Sequence, residues 1–411
     1  MTKRVAAFTA NNFLFTFVAW PVTCYMSLYL KEDLGLSPNR IGLIVSLFSF
    51  TTILMTVPFG YLSDRFSPRK LMHGGALVIA ASSFLLAFFK DMGPVLVLVV
   101  AMGAGISMFG VSLFSLFYKL LGVKGKGTQI SVFLSGMYLG WGFGLLLGGR
   151  VIGAFGMEYV FLTSAALGLA LFALTFLIED SSPIRFNIVD YVGDIRRKEV
   201  FLVIAIFVII ALHFGTEHAV YPLFLKGRVG LSYRRIGEIY PIMGIWLSVI
   251  GILSGIIFDR AKNAKYLLIG GLLASGVFQG LTVLARSFWQ VVDIRLVHVL
   301  GDSMVIFCAN VFVSQIFART RLGGNYGFIK VVEAIGISTG AVASGFLLHR
   351  FGYGAAFWFS GGACIALALF IWAFCSTLIN KLSTRTELVP STSTEFILSE
   401  AEGLSINSVE G

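Results

Sequence analysis

Ionisable side chains interrupt two strongly apolar segments in the second half of the chain. His213 and Glu217 lie four residues apart, and Arg295, His298 and Asp302 follow the spacing i, i+3 and i+7. On a helix, each set shares one face. Such a face could bind and release a proton, because apolar surroundings disfavour a charged carboxylate and imidazole titrates near neutral pH. The other proton-coupling candidates are His218 and Glu333.

Other roles remain open for the same residues. A pairing of Arg295 with Asp302 could be purely structural, and Arg295 could instead extend toward the membrane interface. The spacing of His213 and Glu217 also suits two metal ligands on one helix face. Because no convincing third ligand accompanies them, we predict no metal site, and nothing in the sequence requires a cofactor.

The apolar segments around these residues are long enough to cross a membrane. Of the 411 residues, 57% are hydrophobic and 13% charged, too few charges to coat a soluble domain. Runs of about 20 apolar residues, the length that spans a hydrocarbon core of about 30 Å, recur along the chain. Each run must satisfy its own backbone hydrogen bonds in lipid, so we predict an all-α membrane protein with twelve transmembrane helices. The predicted spans are 5–30, 39–62, 70–89, 94–118, 128–152, 157–178, 200–225, 236–258, 265–285, 289–317, 329–349 and 354–379.

Lysine and arginine residues predict how the chain is oriented. If the spans alternate across the bilayer, most of the 31 basic residues share the side of the N-terminus, as in cytoplasmic loops. We therefore predict a multi-pass protein of the cell membrane, plasma or inner, with both termini cytoplasmic. The segment from Lys226 to Arg235 opposes this bias. The net charge of +10 follows from the same bias and indicates no nucleic acid partner.

The two halves of the chain repeat one another. Asp64 and Asp259 lie 195 positions apart. At the same shift, identical residues meet in pairs: Gly35 and Gly230, Leu36 and Leu231, Gly60 and Gly255, Arg65 and Arg260. A repeat after six spans predicts two pseudo-symmetric six-helix bundles that rock about a shared central site. The predicted units are an N-terminal bundle (1–178), a cytoplasmic linker (179–199), a C-terminal bundle (200–380) and a disordered cytoplasmic tail (381–411).

A short signature follows the second span and returns after the eighth. Its residues are Gly60, Asp64, Arg65, Arg69 and Lys70 in the first copy, and Gly255, Asp259 and Arg260 in the second. This pattern resembles the loop signature of the major facilitator superfamily. Ser67 and Pro68 replace the glycine and the basic residue that the superfamily usually carries there. The resemblance implies the fold of that superfamily and a conformational latch that closes the cytoplasmic side in one state.

The latch and a central cavity give further expectations. We expect Asp64 near the N-terminus of the next helix, paired with nearby arginines. The resemblance implies a cavity lined by the first, fourth, seventh and tenth spans. At 1.5 Å per residue, Asp302 lies near the midplane and Glu217 in the outer third. The substrate-cavity candidates are Asn11, Asn12, Trp20, Tyr25, Ser107 and Arg295.

Glycines recur with a four-residue period in the fifth span and return in the eleventh. They are Gly140, Gly144, Gly148 and Gly149, with Gly336 and Gly340 in the second half. Small residues at this spacing let helices pack backbone to backbone. The first set also resembles an antiporter motif of the superfamily in which proline stands at the place of Leu145. Helix packing and an antiport signature both remain open.

The combined pattern predicts a secondary transporter that moves a small organic solute by alternating access, coupled to protons. Phenylalanine-rich spans suit an amphiphilic or aromatic compound, and efflux of an amphiphilic compound is the favoured prediction. Proton-coupled uptake of a metabolite or organic anion, and a membrane sensor that does not transport, remain alternatives. Neither a Walker loop nor a zinc-protease or nucleophile-elbow motif occurs, so we predict no enzyme. The expected partners are the substrate, protons and the lipid bilayer, and the expected state is a monomer.

Overall fold

The computed structural model describes residues 3–36, 38–122, 124–181 and 189–384. These residues form helices and no strand. The α-helices are α1 (Lys3–Glu32), α2 (Pro38–Arg65), α3 (Pro68–Leu86), α4 (Met92–Lys119), α5 (Lys126–Phe155), α6 (Met157–Leu174), α7 (Val189–Ile195), α8 (Lys198–Gly227), α9 (Tyr233–Ala261), α10 (Lys265–Leu281), α11 (Phe288–Ile316), α12 (Leu322–Phe351), α13 (Tyr353–Phe370) and α14 (Ser376–Thr384).

The predicted all-α membrane fold is confirmed. Ten helices in the described ranges are long and apolar enough to cross a membrane, judged by length and composition. With α2 and α3, which match the second and third predicted spans, they give twelve long helices. The short helix α7 lies between the two sets of six, and α14 extends α13 through a π-helical turn.

Local sequence explains where several helices begin and end. Ser67 accepts a hydrogen bond from the backbone N–H of Lys70 and Pro68 is the first residue of α3, so the two residues that depart from the family signature start this helix. Gly156 and Gly352 separate α5 from α6 and α12 from α13 with φ angles of 98° and 82°. A side chain is strained at such angles, so the repeated glycines fix the same turn in both halves.

Within each half, the glycine stripes bring two helices into backbone contact. A Cβ atom at Gly140 would collide with the carbonyl of Phe13 in α1, and one at Gly340 with the carbonyl of Leu212 in α8. The remaining stripe glycines are Gly144, against Phe17, Gly336, against Val208, and Gly148 and Gly149, against Tyr25. The absence of side chains thus sets how closely α5 follows α1 and α12 follows α8.

Glycines also let the two halves meet. A Cβ at Gly60 in α2 would lie 2.5 Å from the carbonyl oxygen of Gly323 in α12. A Cβ at Gly127 in α5 would lie 2.8 Å from the carbonyl oxygen of Gly255 in α9. We call the end of the bundle that holds these contacts and α7 the linker face, and the opposite end the far face. The close approach of α2 to α12 and of α5 to α9 closes the linker face.

The segments outside the two bundles include two short helices. The predicted linker contains the helix α7. Residues 182–188 of the linker lie outside the described ranges. Helix α14 continues to Thr384, past the predicted start of the tail. The rest of that predicted tail, 385–411, also lies outside the described ranges.

Candidate functional site

The ionisable residues of the second half meet in one buried cluster between α8 and α11. This α8–α11 cluster consists of His213, Glu217, Arg295, His298 and Asp302. Asp302 has 14 residues of α11 on either side, about 21 Å of helix, so it lies at mid-depth. His213 and His298 are fully buried and Asp302 is 2% exposed.

His298 is the centre of the cluster. Its Nε2 lies 2.9 Å from Oε1 of Glu217 and 3.0 Å from Oδ2 of Asp302. The Nε2 of His213 lies 3.2 Å from Nε2 of His298 and 3.6 Å from Oδ1 of Asp302. Two carboxylates and two imidazoles therefore converge on a few ångströms of low-dielectric space, where each charge state affects the others strongly.

The hydrogen bonds of His298 fix where its protons are. Its Nδ1 lies 3.0 Å from the backbone carbonyl oxygen of Ser275 in α10. A carbonyl oxygen only accepts, so Nδ1 carries a hydrogen. The Nε2 faces carboxylate oxygens of Glu217 and Asp302, and these contacts are favourable only if a further proton is shared among them. The geometry thus lets Nε2 of His298 share one proton with Glu217 and Asp302.

Small residues in α10 and α11 bring Ser275 to this position. A Cβ at Gly301 would collide with the carbonyl of Gly271 and the backbone nitrogen of Ser275. The close approach lets the Ser275 hydroxyl donate to Oδ1 of Asp302 at 2.7 Å while its carbonyl accepts from His298. One serine therefore orients both the acid and the imidazole of α11.

Arg295 is a member of the cluster and does not extend to an interface. Its side chain is 7% exposed, and its Nη1 forms a short ion pair with Glu217. The guanidinium carbon lies 4.5 Å from the centre of the Tyr221 ring, a cation–π contact. Arg295 pairs with Glu217 in α8, and His298 links Glu217 to Asp302, so a structural network that contains Arg295 and Asp302 stays open as an alternative.

The cluster also contains four residues of metal-ligating type. One ligand atom each from His213, Glu217, His298 and Asp302 lies within 4.8 Å of the other three. The structure thus adds two ligands to the His213 and Glu217 pair recognised in the sequence. However, Glu217 already has a cationic partner in Arg295, which would repel a divalent ion.

Two of the predicted proton-coupling residues lie apart from the cluster. His218 is exposed, and within the described residues no hydrogen bond joins it to these groups. Glu333 forms an ion pair with Lys330 one turn earlier in α12, at 2.6 Å. Sequence proximity to Glu217 was misleading for His218, because adjacent helical residues point about 100° apart.

Most of the predicted cavity residues instead join helices within the N-terminal half. The Nδ2 of Asn11 donates to the carbonyls of Ala7 and Leu174, and that of Asn12 to the carbonyl of Phe133. The same holds for two more candidates: Tyr25 donates to the carbonyl of Leu145, and Ser107 bonds to Thr56. Buried polar side chains need partners, and neighbouring backbone supplies them here.

An aromatic path between the halves involves Trp20 and two residues that sequence reasoning missed. The Trp20 and Trp141 rings are 6.5 Å apart, and Trp141 lies 5.3 Å from Tyr240 in α9, both edge to face. In the C-terminal half, Trp246 donates to the carbonyl of Leu296 in α11. No spacing in the sequence marks Trp141 and Tyr240, since their contact depends on how α5 crosses α9.

At the linker face, Asp64 caps a helix of the other half. It accepts the backbone N–H groups of Gly323 and Gly324 at the start of α12, at 2.9 and 2.8 Å. Lys119 forms an ion pair with the same carboxylate at 2.7 Å, and Tyr191 donates to it at 2.8 Å. The N-terminus of a helix attracts a negative charge, so this contact favours the closed linker face.

The second signature copy makes the mirror contact. Asp259 accepts the backbone N–H groups of Gly127 and Thr128 at the start of α5, both at 2.8 Å, and the Thr128 hydroxyl at 2.6 Å. Each half therefore supplies an aspartate to a helix N-terminus of its partner. Cationic side chains bind carbonyls near the C-terminal ends of helices in the other half. Lys126 donates to the Ser314 carbonyl near the end of α11, and Arg319 donates to the Leu121 carbonyl just after α4.

The expected partners of Asp64 are wrong. It caps α12 and not the next helix, and the basic residues of its own signature contact other groups. Arg65 lies over the ring of Tyr61, and Arg69 donates to the carbonyl of Ile178. For the remaining basic members, the backbone N–H of Lys70 donates to Ser67, and Arg260 is exposed.

The family model of the Major Facilitator Superfamily matches residues 8–285 and 248–401. The chain belongs to the major facilitator superfamily. It is therefore a multi-pass membrane protein of the transporter type, and the repeated aspartate caps are this superfamily member's form of the signature contact.

Relatives within the superfamily include proteins named for drug resistance. The multidrug resistance protein MdtG of Proteus mirabilis is 22% identical over 370 residues, which cover 85% of this chain and 90% of MdtG. The quinolone resistance protein NorA of Staphylococcus aureus is 24% identical over 357 residues, which cover 84% of this chain and 90% of NorA.

A solved structure of the superfamily shares the fold. The human organic anion transporter MFSD10 (TETRAN) superimposes with a TM-score of 0.72 over 90% of this chain and 99% of that chain. The sequence identity is 14%, so this likeness concerns the fold alone.

Proposed function

We propose that this chain exports small amphiphilic compounds by alternating access, in exchange for protons. The observation that carries the proton part is the position of His298, whose Nε2 is shared by Glu217 and Asp302 at mid-depth in the bundle. Ionisable groups at this depth are costly and are retained where they serve transport. The names of the MdtG and NorA relatives support export.

Exchange requires that bound substrate lowers the affinity of the protein for the proton, and that the bound proton lowers its affinity for the substrate. By linkage, a substrate that binds better to the deprotonated cluster displaces its proton, and a proton from the other side displaces the substrate. A cationic amphiphile meets this condition, since loss of a proton leaves extra negative charge on Glu217 and Asp302. The aromatic path through Trp20, Trp141 and Tyr240 would bind its apolar part.

A second candidate is proton-coupled movement of an organic anion, and Arg295 favours it. Its Nε has no hydrogen-bond partner among the described residues, although the side chain is buried. Protonation of Glu217 would free the guanidinium for an anion, so anion and proton would bind together. The two candidates therefore predict opposite signs of coupling. A sensor on the same fold would show binding without flux.

We further propose that the protein acts as a monomer in the cell membrane, with the linker face in the cytoplasm. The basic residues at that face fit the rule that cytoplasmic segments are rich in lysine and arginine. Purified protein in proteoliposomes tests the function with ethidium as a cationic probe and 1-naphthoate as an anionic probe. If export occurs by exchange, a proton gradient of either sign should drive ethidium in the direction opposite to the proton flux. A protonophore should abolish this movement. Ethidium flux that ignores the gradient would contradict it.

A further inference from the structure

We propose that the linker helix α7 is a third part of the latch, held by the C-terminal half and stabilising the closed linker face through a bond from Tyr191 to Asp64. Nothing in the family signature covers α7, since the signature lies in the loops after α2 and α9. The inference rests on the alternating access proposed above, and assigns Tyr191 and Asp194 as positioning residues for it.

Asp194 fixes α7 to the C-terminal half. Its carboxylate accepts two hydrogen bonds from the guanidinium of Arg321, at 2.8 and 3.0 Å, and a third from the Asn325 amide at 2.8 Å. Asp194 and Arg321 are each 5% exposed, so the pair is shielded from water and salt. Next along the chain, Arg197 donates to the carbonyl of Ile316 at the end of α11, at 2.6 Å. These contacts make α7 move with α11 and α12.

Tyr191 projects from the same short helix to the other half. Its hydroxyl donates to Oδ2 of Asp64 at 2.8 Å. Its ring fills the space beside Gly324, where a Cβ would come within 2.6 Å of the ring. Burial and the nearby Asp64 carboxylate raise the pKa of Tyr191, so the phenol keeps its proton and remains a donor.

Opening of the linker face would break this bond. Three donors to Asp64 belong to elements that move with the C-terminal half: the backbone of Gly323, that of Gly324, and the Tyr191 hydroxyl. Lys119 stays with Asp64 in the N-terminal half. Because a hydrogen bond to a buried charged group is strong, loss of the Tyr191 hydroxyl should shift the balance toward the open linker face by about tenfold.

Maleimide labelling of two cysteines reports this balance without any substrate. Ser314→Cys, buried at the linker face, becomes accessible when that face opens. The native Cys24 is exposed in α1, about 30 Å from the linker end of that helix, and reports the far face. The other native cysteines are replaced by alanine. Tyr191→Phe should raise labelling at position 314 about tenfold and lower it at Cys24.

A matched control removes a tyrosine hydroxyl that does not cross the halves. Tyr353 donates to the carbonyl of Leu223, both in the C-terminal half, so Tyr353→Phe should leave both rates unchanged. A rise at both reporters in Tyr191→Phe would mean general loosening and would overturn the proposal. So would wild-type rates at both reporters.

A second variant guards against a folding defect in the first. Asp194→Asn releases α7 from Arg321 and should give the same reciprocal change, with no further effect when combined with Tyr191→Phe. Additive effects of the two substitutions would overturn a shared role. If Asp64→Asn changes labelling and neither α7 variant does, only the role of α7 fails. If no variant changes labelling, alternating access itself fails.

Discussion

The carboxylate of Asp64 accepts the backbone N–H of Gly323 at 2.9 Å, although 259 positions separate the two residues in the chain. This bond joins α2 of one half to the first turn of α12 in the other. With its counterpart between Asp259 and Gly127, it relates the two halves by the same symmetry that the sequence repeat predicts. The linker face is thus closed by a helix-capping charge on each side.

Removal of the first cap should destabilise the protein. Asp64 is 1% exposed, and Asp64→Ala leaves two helix N–H groups without their acceptor and the Lys119 ammonium without its anionic partner. We expect the free energy of unfolding in an SDS titration to fall by about 3 kcal/mol. Asp91→Ala is the control, because Asp91 precedes α4 without a side-chain cap bond and should change it by less than about 0.5 kcal/mol. Equal effects of the two substitutions would contradict the capping role.

A methyl group at Gly323 should keep the linker face open. Its Cβ would collide with the Ser63 hydroxyl and lie 2.5 Å from the Gly60 carbonyl oxygen. Gly323→Ala should therefore increase cysteine labelling at position 314 and slow transport. Gly345→Ala in the same helix meets no atom within 4 Å and should be neutral or slightly stabilising. Normal closure in Gly323→Ala would show that the halves do not approach this closely.

The Ser275 hydroxyl should set the pH range of substrate binding. Its bond to Asp302 favours the charged carboxylate, so Ser275→Ala should make Asp302 easier to protonate. Exchange requires substrate to bind the deprotonated cluster, and the pH midpoint of binding should therefore move upward by about one unit. Ser303→Ala removes a neighbouring hydroxyl that donates to the Leu247 carbonyl and should leave the midpoint in place. A downward shift in Ser275→Ala contradicts the assignment.

The helices and the repeat could be predicted from the sequence because both depend on local pattern. Hydrophobic length predicts a span, and identical residues 195 positions apart predict the second half. The meeting of His213 and Glu217 with His298 and Asp302 was also predictable, since each pair lies on one helix face and the superfamily directs these helices inward.

The partners of those residues could not be predicted, because they depend on how helices pack. Ser275 reaches Asp302 only through the close approach of Gly271 and Gly301, which leaves no mark on the spacing of polar residues. Asp64 was expected to cap the following helix, yet it accepts N–H groups at the start of α12, and Asp180 accepts the backbone N–H of Arg69 in the following helix. Asn11 and Asn12 looked like cavity residues for a similar reason: polarity in an apolar span does not reveal which neighbour the side chain faces.

The direct test of proton exchange is the count of protons released when a substrate binds. The ligand is the compound that most raises the Tm of the purified protein in a screen, added to weakly buffered protein while the pH is recorded. We expect release of about one proton per bound ligand by the wild type and by the Asp293→Asn control, an exposed position of the same helix. Asp302→Asn should bind the ligand and release none. Proton uptake on binding, or unchanged release by Asp302→Asn, would contradict exchange at this cluster.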